Sequence, residues 1–152
     1  MIVVLFGQPG CGKTPISILL SVYFKNLNYT TNIVDGDEVR KIFKNFSYDR
    51  EGRIKNLNRI SDISRYLSEY NNIVFVSAVY PFKESRDYLN SICDNIIWIY
   101  LTYNDDRGKS QYLVKEFEEP IIDSNVLYIN TTSHTIEEEV NRIVNFINQK
   151  MN

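Results

Sequence analysis

The chain has 152 residues, 17 Lys plus Arg against 19 Asp plus Glu, and a formal charge of -2 with its single histidine neutral. That length suits one domain, and 43% apolar against 24% charged residues excludes a disordered tail. The near-balanced charge excludes the broad basic surface that binding to a nucleic-acid polymer requires, and Cys11 and Cys93, outside any C-x-x-C pair, argue against a disulfide-framed module.

The first apolar run, Ile2–Phe6, is β-branched and aromatic and reads as a buried strand. It passes into Gly7-Gln8-Pro9-Gly10-Cys11-Gly12-Lys13-Thr14 without a charged leader or cleavage site. No apolar run reaches the roughly 18–20 residues of a spanning helix, so a cytoplasmic protein without a membrane partner is expected. A helix is predicted over Lys13–Leu27, with Ile16, Leu19, Leu20 and Phe24 near helical spacing and Pro15 tolerated in its first turn. A strand at Thr31–Val34 leads into Asp35-Gly36-Asp37-Glu38-Val39-Arg40. Ile54, Leu57, Ile60, Ile63 and Leu67 predict a helix over Ile54–Tyr70. Strands follow at Ile73–Ser77, Ile96–Leu101 and Val126–Ile129. The last helix, Ile136–Ile147, is preceded by Thr135 with Glu138 three residues on, a capping-box pattern.

Continuous apolar strands alternating with helices predict one α/β domain over residues 1–152, a five-stranded parallel sheet covered by helices on both faces. Only Thr102–Asp123 lacks a period. It reads either as a surface connection or as a partly helical lid and acceptor-contact segment.

Gly7 to Thr14 satisfies G-x-x-x-x-G-K-[ST] and follows a strand, the context of a phosphate-binding loop. Gly7, Gly10, Cys11 and Gly12 supply a compact turn of backbone amides whatever the Cys11 side chain does. Lys13 reaches the β/γ-phosphates of ATP, and the Thr14 hydroxyl helps hold Mg2+. Asp35 and Asp37 sit at the end of the next strand, where carboxyl ends of neighbouring parallel strands share a ligand crevice. Two positions apart, Asp35 and Asp37 can converge on a metal-bound phosphate and an acceptor hydroxyl. Arg40, three residues on, faces an anionic acceptor. A second basic cluster at Arg50, Arg53 and Arg59 suits an acceptor pocket better than a water-activating switch. The expected activity is therefore that of an ATP-dependent small-molecule kinase.

GQPGCGKT, DGDEVR, FSYDREGRIKNLNRI, VYPFKESRD, FEEP and INTTSHTIEEEV, in this order, resemble the adenylylsulfate kinases over nearly the whole chain. The resemblance implies transfer of the ATP γ-phosphoryl group to the ribose 3′-hydroxyl of adenosine 5′-phosphosulfate. It implies that Asp37 acts on the acceptor side with Asp35 close to Mg2+ and the phosphates, that Arg40 and Arg53 bind the phosphosulfate, that Asn56 contacts the acceptor and that Phe46 stacks on its base. Pro81, Phe82 and Arg86 are implied in the same acceptor wall. Two departures stand out. Tyr80 replaces the serine of the family's Ile-Ser-Pro, and the lid motifs R-D-x-K-G-L-Y and G-F-[ST]-G-I are compressed to YNDDRGKSQYLVKEFEEP. Arg107 and Lys109 are then the lid candidates for the ATP phosphates, and Tyr112 the candidate for the missing aromatic wall, with Phe117 in the FEEP tetrad. Two other readings stay open: a kinase for another small nucleotide or hydroxylated metabolite, and a catalytically weak ATP-binding regulator. Closure of the site could come from lid motion, from a homodimer interface, or from both.

Overall fold

The computed structural model describes residues 1–152. Its elements run β1 (Ile2–Phe6), α1 (Lys13–Asn26), β2 (Thr31–Asp35), α2 (Gly36–Phe43), α3 (Arg50–Ser68), β3 (Ile73–Ser77), α4 (Lys83–Ile92), β4 (Ile96–Thr102), β5 (Val126–Asn130) and α5 (Ile136–Met151). The five strands form one parallel sheet in the order β2-β3-β1-β4-β5. Side chains alternate across it, because successive Cβ atoms of a strand point to opposite faces. Val3 and Leu5 of β1 join Ile16, Leu20 and Phe24 of α1 and Ile143 and Ile147 of α5. Ile2, Val4 and Phe6 join Val39 of α2, Leu57 and Ile60 of α3 and Leu89 of α4. Both faces are thus covered, and β1 and β3 are buried throughout.

The five expected strands are present, with β2, β4 and β5 each one residue longer than their apolar runs. The helix boundaries differ more. α3 starts four residues before Ile54, because the Asp49 carboxylate accepts the Gly52 amide at 2.7 Å and caps a polar first turn that carries no apolar stripe. α1 stops at Asn26 and Asn28 turns the chain at a φ of 65°. α5 runs on to Met151, and its capping box is present, Glu138 N donating to Thr135 Oγ1 and Thr135 N to Glu138 Oε2. Beyond the first turn at Asp37, α2 had no signal, and α4 offered only Leu89 and Ile92 on its apolar side. The β4–β5 connection contains one short 3₁₀ turn, Ser110–Tyr112. No helix is long and apolar enough to cross a membrane.

Gly52 sets how closely the loop after α2 meets α3. A Cβ there would lie 2.5 Å from Ser47 O and 2.6 Å from Ser47 Cβ. Asn45 also donates to Gly52 O, at 2.9 Å. Gly52→Ala is expected to push the 45–48 segment off the helix at a cost of about 1–3 kcal/mol, read as a lower urea midpoint at unchanged slope.

Candidate active site

The register of the sheet aligns the ends of three strands: Leu5 and Asp35 both pair with Ser77. The phosphate loop leaves β1 at Gly7, whose φ of 143° and contact with the Leu101 carbonyl leave no room for a side chain. Gly10, Cys11 and Gly12 complete the turn into α1, with Cys11 buried beneath it. Lys13 Nζ folds back over the loop and donates to Gly7 O at 3.0 Å and Gln8 O at 2.9 Å. Thr14 Oγ1 donates to Asp35 Oδ2 at 2.8 Å and lies 3.1 Å from Ser77 Oγ.

Asp35 works in two directions. Its Oδ1 accepts the amides of Asp37 and Glu38 and caps α2, while Oδ2 faces Thr14. Thr14, Asp35 and Ser77 therefore gather three hard oxygen donors beside the phosphate loop, a set that fits Mg2+ sharing its shell with phosphate oxygens and water. Asp37, one residue beyond Gly36, is exposed and makes no side-chain hydrogen bond.

Arg40 and Arg53 flank a single ring. The Arg40 guanidinium lies 4.2 Å and the Arg53 guanidinium 5.4 Å from the Tyr48 centroid. Arg40 is buried and donates to Asn45 O at 3.1 Å and Ser47 O at 2.8 Å, and Arg53 Nε donates to Tyr48 O at 2.8 Å. Neither forms an ion pair with a carboxylate. Burial lowers the pKa of both, and the Arg40 charge lowers that of Arg53 further. Two cations side by side in no ion pair suit an anion as a partner. Asn56 is buried on the adjacent turn of α3. Its Nδ2 donates to Gly36 O at 3.2 Å, and its Oδ1 has no donor.

The other acceptor-wall candidates are placed differently from one another. Phe46 and Tyr112 are exposed. Phe82 is buried under the Arg50 guanidinium, which sits 4.1 Å from its ring and pairs with Glu84 at 2.5 Å. Pro81 O accepts Glu118 N at 2.8 Å. Arg86 is buried and donates to Tyr80 O at 2.8 Å and Glu118 O at 2.7 Å, so its fork ties the VYPF and FEEP segments together. Tyr80 adopts a φ of 44° and turns its ring into the core against Trp98, with its hydroxyl 3.0 Å from Ser61 Oγ. Burial pushes its pKa up. Phe117 stacks on Tyr100 at 5.9 Å and anchors the connection to the sheet.

The β4–β5 connection also meets the phosphate loop. Arg107 Nη1 donates to Gly10 O at 3.1 Å, its Nε to Asp105 at 3.0 Å, and its guanidinium lies 4.6 Å from the Tyr103 ring. Tyr103 donates to Pro9 O at 2.7 Å. The Gln8 carboxamide pairs with the main chain of Val114, donating to its O at 2.9 Å and accepting from its N at 2.8 Å. Lys109 packs its stem beside Gly10. Beneath this connection lies a cavity of about 700 Å3 bounded by Gln8, Tyr100, Tyr103, Val114, Phe117 and Tyr128.

Ser77, Tyr48 and Gln8 were not candidates from sequence. Ser77 ends an otherwise apolar strand, Tyr48 is one of 11 tyrosines, and Gln8 fills a position that the loop motif leaves free. Ser77→Ala is expected to raise the Mg2+ concentration for half-maximal ATP turnover about 10-fold while the fold persists, measured by magnesium titration.

A parallel sheet with a Lys-bearing phosphate loop at the end of β1 and a carboxylate at the end of β2 defines a P-loop kinase. The adenylylsulphate kinase family model matches residues 1–119, and the chain belongs to that family. Among relatives, the adenylyl-sulfate kinase of Rippkaea orientalis is 31% identical over 98 residues, covering 64% of this chain and 54% of that protein. The chain thus matches about half the length of that relative. The cytidine diphosphoramidate kinase of Campylobacter jejuni is 29% identical over 165 aligned positions, covering 94% of each chain. The structure of Mycobacterium tuberculosis APS kinase in complex with AMPPNP and APS superposes with a TM-score of 0.83 at 16% identity, covering 97% of this chain and 96% of that one. At that identity the likeness is one of fold.

Proposed function

We propose that the protein transfers the γ-phosphoryl group of ATP to the ribose 3′-hydroxyl of adenosine 5′-phosphosulfate. The observation that carries this reading is the Arg40–Tyr48–Arg53 group, two cations in no ion pair, with the charge of Asp37 acting on Arg40. A mixed phosphosulfate anhydride offers the two anionic groups that such a pair can receive in fork geometry. The acceptor oxygen attacks the γ-phosphorus, the bond to the β-bridging oxygen breaks to release ADP, and Asp37 accepts or orients the hydroxyl proton. Lys13 spreads the charge of the transferring group, and Asn56 Oδ1, buried without a donor, takes one from the acceptor. Mg2+, held through Thr14, Asp35 and the phosphates, would supply neutralisation of the β/γ oxygens. In this reading residues 102–123 act as the lid, Arg107 exchanges its bond to Gly10 O for the donor phosphates, and Tyr112 covers the acceptor base.

A second acceptor comes from the relatives. The Campylobacter jejuni relative matches across 94% of both chains, as fully as the adenylyl-sulfate kinase of Oceanobacillus iheyensis, which is 27% identical and covers 95% of this chain. Cytidine diphosphoramidate is therefore the second acceptor, and it too presents an anionic tail to the paired arginines. The deciding experiment incubates purified protein with Mg2+, γ-labelled ATP and each acceptor, alongside a panel of other nucleotides and hydroxylated metabolites, with products identified by mass. Label on adenosine 5′-phosphosulfate supports the first reading. Efficient transfer to cytidine diphosphoramidate alone replaces it with the second. ATP binding without transfer to anything offered reduces the protein to a nucleotide-binding regulator.

A further inference from the structure

We propose that Gln8 is a positioning residue that latches the β4–β5 connection onto the phosphate loop, so that water is kept from the γ-phosphate during transfer. The inference rests on the kinase reading for its consequence, and on geometry alone for the latch. Gln8 stands 106 positions before Val114 in sequence, yet its side chain meets that residue's amide and carbonyl at 2.8 and 2.9 Å. A carboxamide is the side-chain group that can give and take at once as a neighbouring strand would. Leucine offers neither bond, and glutamate at neutral pH offers no donor. Val114 is itself buried, so breaking the pair would leave its amide and carbonyl without their protein partners.

Three consecutive loop residues hold the connection: Gln8 through its side chain, Pro9 through its carbonyl to Tyr103, and Gly10 through its carbonyl to Arg107. Only the first uses a phosphate-loop side chain, so it can be removed without changing any amide that would face phosphate. The Gln8 carbonyl also accepts from Lys13 Nζ at 2.9 Å. One residue therefore ties the connection through its side chain and the catalytic lysine through its backbone. Opening the latch admits water as a competitor of the acceptor hydroxyl, and ATP hydrolysis without transfer rises.

Two net hydrogen bonds correspond to roughly 10–100-fold in the ratio of closed to open connection. Tryptic cleavage at Arg107, Lys109 and Lys115 of the free protein reads that ratio without any acceptor. Gln8→Ala is expected to speed this cleavage at least about tenfold, with the helix and strand content, read by circular dichroism, that of the parent. Gln8→Met keeps the length of the side chain and loses both bonds, and is expected to behave like the alanine variant. With the acceptor that the product assay identifies, both variants are expected to raise the number of ATP molecules hydrolysed per transfer. Cleavage unchanged in Gln8→Ala, or protection restored by Gln8→Met, would overturn the latch. A failure to find any acceptor would count against the kinase reading and leave the cleavage result standing.

Discussion

Replacing Lys13 by alanine is expected to lower turnover about 10²–10³-fold with every acceptor, the loss typical when one electrostatic donor to a transition state is removed. In the free protein its ammonium is held over the phosphate loop by the Gly7 and Gln8 carbonyls. It is thus stationed where phosphate oxygens would arrive, and needs only to exchange carbonyl for phosphate partners. Because the charge it meets belongs to the donor, the defect is the same whichever hydroxyl attacks. Background ATP hydrolysis falls alongside. The fold is unaffected, since the partners lost are the Gly7 and Gln8 carbonyls and the Cys11 sulfur of the same loop. Steady-state kinetics with each acceptor, together with the melting temperature, checks this. A variant crippled with one acceptor and normal with another would remove Lys13 from the transferring group.

What could be read in the sequence was whatever is contiguous along it. The loop Gly7–Thr14 holds its glycines, lysine and threonine within eight positions, and the strands are unbroken β-branched runs, so neither depends on tertiary context. The capping box of α5 is likewise local. Features made by register were hidden. Ser77 reaches Thr14 because β3 lies between β1 and β2 and aligns its last residue with Leu5 and Asp35. Gln8 is functional in geometry only because the β4–β5 connection folds back over it. The polar first turn of α3 was hidden for a different reason, since helical periodicity is carried by apolar residues and those begin at Ile54. Tyr80 stands where the family's serine does, but a left-handed backbone sends its ring into the core, so the residue type at that position misdescribes what the site sees.

Arg53→Ala is expected to raise the acceptor KM about 10–100-fold with little change in the KM for ATP, since a hydrogen bond to a charged group is worth roughly 1.5–3 kcal/mol. Arg53 spends its Nε on the Tyr48 carbonyl and has no carboxylate partner, which leaves the rest of its fork for a ligand. Its pKa is lowered by burial first and by the neighbouring Arg40 charge second, so the free protein stores repulsion at this point. An anionic acceptor relieves that repulsion, and so does the mutation. The free Arg53→Ala protein loses the bond to Tyr48 O together with that repulsion, so its melting temperature should stay close to that of the parent. Arg53→Lys keeps the charge but not the fork, and should recover only part of the acceptor binding. Thermal shifts with adenosine 5′-phosphosulfate and with cytidine diphosphoramidate separate these contributions: the parent gains stability from its acceptor, Arg53→Lys gains less, and Arg53→Ala gains least. Equal gains in the parent and Arg53→Ala would mean that the acceptor anion binds without Arg53, and the paired-arginine site would have to be reassigned.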